Sequence, residues 1–62
     1  MIFEFKIDSE NAAFSEMPEC EIARLLRQTA DRIENGSEDG TLTEFNGNKC
    51  GNWYLEVPDN DT

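Results

Sequence analysis

The sequence predicts an α+β fold: a single β-α-β-β domain, with a three-stranded antiparallel sheet and one helix packed on one face. Three observations lead there. Ile2 to Asp8 reads as a strand, alternating apolar and polar residues from Phe3 onward. Ile22 to Ile33 repeats apolar positions at helical spacing. Gly40 to Val57 holds two strand-like runs around Asn46-Gly47-Asn48, the strongest short-range hairpin signal in the chain.

In the first strand Phe3, Phe5 and Ile7 point one way and Ile2, Glu4, Lys6 and Asp8 the other, the pattern of a half-buried strand. Ser9 to Phe14 is a connector; Ala12, Ala13 and Phe14 are small or apolar enough to tuck under the sheet, and periodicity does not decide whether they do. The helix is expected to begin between Ser15 and Pro18. Proline suits a first turn, where its missing N–H costs nothing, and Ser15 is the expected N-cap because Met17 has no capping oxygen. Glu16, Glu19 and Glu21 complement the positive end of the helix dipole. Ile22, Leu25, Leu26, Thr29, Ala30 and Ile33 form one apolar stripe. Asn35-Gly36 ends the helix, with glycine suited to the left-handed position beyond the cap.

The hairpin turn is expected as type I′ on Asn46-Gly47 or type II′ on Gly47-Asn48. Leu42 then faces Gly51 in the first register and Trp53 in the second. Either way Leu42, Gly51, Trp53, Leu55 and Val57 share a face, and Trp53 is expected against Leu26 and Ile33. The helix should cover this face together with Phe3, Phe5 and Ile7. The last strand is the longest and richest in β-formers, which places it centrally, in the order 1-3-2; the order 3-2-1 is the alternative. The domain is read as residues 1–57, with Pro58 to Thr62 a flexible acidic tail.

A chain of 62 residues buries too little surface for a generous stability margin, and small domains of this kind use a disulfide, a metal or a second subunit as a staple. With no histidine and only two cysteines, Cys20 and Cys50, neither metal nor disulfide framework is expected, and self-association remains. A charge at every second residue of the N-terminus excludes a signal peptide, and no apolar run spans a membrane. Free thiols then point to a cytoplasmic location. The net charge of −9 disfavours direct binding of nucleic acid or anionic membrane. It fits either solubility or an acidic surface that occupies a nucleic-acid-binding groove.

No residue set carries recognisable catalytic chemistry. Neither thiol has a histidine partner, and Glu19 and Glu21 flank Cys20. Glu44 is expected to face Lys49 across the hairpin mouth. Asp59-Asn60-Asp61 lacks the glycine and distal glutamate of a calcium loop. No enzyme activity, cofactor or metal is therefore expected. The feature that exceeds ordinary surface is the sheet face away from the helix, where Ile2, Phe45, Cys50 and Tyr54 are expected among polar residues, as a candidate interaction face for a protein partner or a second copy.

The helix segment Ala23-Arg24-Leu25-Leu26, Ala30, Ile33-Glu34 and Gly36, followed by Asn46-Gly47-Asn48, Gly51 and Trp53, resembles a group of short phage and prophage proteins. That group shares an alternating first strand, an A-x-x-L-x-x-x-A-x-x-I/L-E-x-G helix and an N-G-N-x-x-G-x-W hairpin ending. The resemblance covers most of residues 1–57. One departure is Glu44, where the group often has aspartate. It implies a viral or mobile-element accessory protein with no assigned activity, catalytic residue or cofactor. The combined expectation is a non-enzymatic acidic interaction module that binds a host or phage protein, an inhibitor of host defence being one version. The alternatives are a DNA mimic and a structural homodimer.

Overall fold

Ile2–Ile7 forms β1, Pro18–Glu34 forms α1, Asp39–Thr43 forms β2 and Lys49–Glu56 forms β3. A computed structural model describes residues 1–10 and 14–58 of the chain. The sheet order is β1-β3-β2 with both pairings antiparallel. The expected α+β, β-α-β-β architecture and the central last strand are both present. Ala12, Ala13 and residues 59–62 of the tail lie outside the described residues, whereas Phe14 packs against the core.

α1 starts where Pro18 makes it start. The residue before a proline is driven out of the helical region, and Met17 accordingly has φ −135° and ψ 65° and serves as the N-cap without a side-chain hydrogen bond. Ser15, the expected cap, lies outside this geometry. At the other end Gly36, at φ +99°, lets its own N–H reach the Ile33 carbonyl at 3.0 Å and the Ser37 N–H reach the Arg32 carbonyl at 3.0 Å. These paired bonds close the last turn as a Schellman motif.

The hairpin differs from expectation at its turn. Gly47 alone has positive φ (+91°), the Gly47 N–H donates to the Glu44 carbonyl at 2.9 Å, and the Glu44 N–H donates to the Asn48 carbonyl at 2.9 Å. The loop is thus the three residues Phe45 to Gly47, a turn ending in a left-handed glycine, and not a two-residue type I′ or II′ turn. This loop shifts the register by one, with Thr43 opposite Lys49, and a bulge at Cys50 shifts it back, with Leu42 opposite Gly51. Leu42 therefore meets the partner expected for the type I′ register, by a different route.

The core is Leu25, Leu42, Cys50 and Trp53, with Phe5, Ile7, Phe14, Ile33 and Leu55 packed around it. The helix stripe is rolled relative to expectation. Glu21, Leu25 and Thr29 form the buried line, while Leu26 is 44% exposed and Ile22 and Ala30 also face outward. Trp53 is buried, as expected, but the leucine in its core is Leu25. α1 comes closest to β2 and not to β1. Coverage of the Phe3-Phe5-Ile7 face is consequently incomplete: Phe3 is 44% exposed, its ring centroid 6.3 Å from that of Trp53. Val57 lies past the end of β3 and is exposed.

Candidate functional site

Two arrangements gather polar chemistry. The first joins the start of α1 to the hairpin end of the sheet. Arg24 Nε donates to Glu21 Oε1 at 3.0 Å and Arg24 Nη2 to Glu21 Oε2 at 2.6 Å, a bidentate pair across one helical turn. Glu21 Oε2 also accepts the Phe45 backbone N–H at 2.9 Å, and Arg24 Nη2 donates to the Thr43 carbonyl at 3.3 Å. Glu44 Oε1 accepts the Asn48 N–H at 2.9 Å, and its Oε2 accepts the Asn46 amide at 3.4 Å. The Arg24 guanidinium, hydrogen-bonded to Glu21, holds that carboxyl below its ordinary range against the opposing effect of burial. Burial, with Glu44 and Glu21 adding to it, pushes the Cys50 thiol up. Every carboxylate oxygen here already accepts a hydrogen bond, and a raised thiol is a poor nucleophile. The cluster acts as a strut between helix and hairpin.

The second arrangement is the outer sheet face. Tyr54 on β3 lies opposite Glu4 of β1 on one side and Asp39 of β2 on the other, and Ile2 lies opposite Glu56. The Tyr54 ring lies beside the Glu4 carboxylate across the β1–β3 pairing. The Tyr54 pKa is raised by partial burial first, then by the Glu4 and Glu56 charges. An open groove of about 510 Å³ runs beside it, lined by Glu38, Asp39, Tyr54, Leu55, Glu56 and Val57. The opposite end of the sheet carries Lys6 and Lys49 around a smaller depression of about 280 Å³. Charge on this face is thus divided, acidic around Tyr54 and partly basic near the hairpin.

The four residues expected on one interaction face are not together. Ile2 and Tyr54 share the acidic end of the outer face. Phe45 is 66% exposed but sits in the hairpin loop, roughly 20 Å along the strand from Tyr54 at the rise of an extended chain. Cys50 is 2% exposed and belongs to the core, because the bulge turns it to the helix side. Glu44 is buried opposite Asn48 and does not face Lys49, whose partner is Thr43. Sequence reasoning missed the Glu21–Arg24–Phe45 link. The acid-base spacing of three was visible, but nothing local marks Glu21 as buried.

Among the described residues there is no group of three or more metal-ligating side chains and no helix long and apolar enough to cross a membrane. No protein family, characterised protein or solved structure matches the chain. The functional reading therefore rests on its own residues.

Proposed function

We propose that this protein is a non-catalytic, acidic interaction module that captures a basic protein partner, an activity suited to a phage or prophage accessory protein. The observation that carries this reading is the Tyr54 end of the outer face. An aromatic ring and Ile2 are set among Glu4, Asp39, Glu56 and Glu38, beside an open groove. Carboxylates around an aromatic face favour lysine and especially arginine side chains, which combine charge pairing with stacking. The net charge of −9 would speed encounter with such a partner. The polar cluster at the hairpin supports the absence of catalysis, since its groups are consumed by internal hydrogen bonds.

The test is affinity capture from a bacterial lysate with wild type and with Tyr54→Ser/Asp39→Asn. The expected result is a basic protein retained by wild type, lost from the double variant, and released as salt rises toward 1 M, where charges are screened within about 3 Å. A partner that binds both forms equally, or holds on regardless of salt, would refute the site. A captured nucleic-acid-binding protein displaced by DNA would instead favour the DNA-mimic reading.

A further inference from the structure

We propose that two copies of this chain associate through β1, pairing antiparallel about a two-fold axis at Phe5 to form one continuous six-stranded sheet. β1 is an edge strand: β3 pairs with one side of it, and no described strand lies on the other. An unpaired edge is a template for another strand. The two edges of the sheet are not equivalent. At the hairpin end of β2, the Thr43 carbonyl accepts Arg24 and, in the loop just beyond the strand, the Phe45 N–H donates to Glu21, so helix side chains engage the backbone there. The β1 backbone has no such cover from α1. Arg24 reaches β2 from one flank of the helix; Ile22 and Leu26, on the opposite flank by helical spacing, are exposed, as is Phe3 on β1. A partner strand at this edge would lie beside that apolar strip.

The register follows from symmetry and charge. When a strand pairs with its own copy, residues with outward-pointing backbone groups must face each other, so odd positions meet odd and even meet even. Shifts that place Glu4 opposite its own copy, or Lys6 opposite its own copy, set like charges together, which is destabilising. The shift with Phe5 opposite Phe5 places Glu4 of each copy opposite Lys6 of the other. It also places Phe3 opposite Ile7 on the helix face. Both ion pairs and the apolar alternation of β1 are satisfied in this one arrangement. The dimer would carry its two Tyr54 patches on a single outer face.

Sedimentation of the intact chain at 0.15 M salt tests this, with three arms. Wild type is expected to dimerise. Glu4→Lys and Lys6→Glu, each of which sets two like-charge pairs across the axis, are expected to weaken the dimer at least about tenfold. An equimolar mixture of the two variants is expected to recover it as a heterodimer. Trp53 emission reports that each variant is folded, and Lys6→Glu, whose β3 neighbour is Asn52, leaves the Glu4–Tyr54 cross-strand pair in place. A monomeric wild type at millimolar concentration, single variants that dimerise like wild type, or a mixture no tighter than its components would each overturn the proposal. Capture of a basic partner by a strictly monomeric chain would defeat it while leaving the Tyr54 site intact.

Discussion

Gly40 lies opposite Trp53, and a β-carbon placed there would sit 2.5 Å from the indole Nε1 and 3.1 Å from Cε2. The indole is buried and has no room to yield. Gly40→Ala should therefore destabilise the fold by about 1–3 kcal/mol, the usual cost of overpacking a tight core. Gly51 is more restrictive, because its β-carbon would strike the Lys6 carbonyl oxygen, a backbone atom of β1. Gly51→Ala should cost more than Gly40→Ala in urea melts; equal or smaller losses would mean that β1 does not approach β3 as described. The two cysteines offer a second check on single residues. Cys20 is exposed and Cys50 buried with a raised pKa. Alkylation of the native protein followed by mass spectrometry should mark Cys20 quickly and Cys50 only after denaturant is added. Rapid native labelling of Cys50 would place it on the surface after all.

At the scale of elements, much of the fold is legible in the sequence, and the parts that are not share a cause. Alternation in Ile2–Ile7, the glycine stop at Gly36 and the Asn46-Gly47-Asn48 turn signal are local, and each marks its element correctly. The roll of α1 is not local. It is set by the Phe45 N–H, which draws Glu21 inward and leaves Leu26 outside. The bulge is equally hidden, since strict period two through Cys50 assigns it to the wrong face. Of the candidate site, Tyr54 and Ile2 were readable from alternation, and Phe45 and Cys50 were not. The Glu21 link makes a pH prediction. Its carboxyl is held below its ordinary range by Arg24, so its contribution to stability is fully present above the unfolded value, about pH 4.3, and is lost as pH falls through the lower folded value. Chemical denaturation should find Glu21→Gln less stable than wild type at pH 6, with the gap narrowing below pH ~4. A gap that is constant down to pH 2 would show that the charge of Glu21 is not what ties α1 to the hairpin.

At the scale of the whole molecule, a small core under one helix supports a sheet whose other face carries exposed residues, Ile2 and Tyr54 among them. The inner face holds the chain together; the outer face concentrates carboxylates and Tyr54 at the end remote from the hairpin. The measurement that tests this division most directly is residue-resolved NMR titration with an arginine-rich peptide at 0.15 M salt. The expected result is saturable shifts confined to Ile2, Glu4, Asp39, Tyr54 and Glu56, absent in Tyr54→Ser/Asp39→Asn. Shifts spread evenly over every acidic residue, or centred on the exposed face of α1, would contradict a binding site at Tyr54.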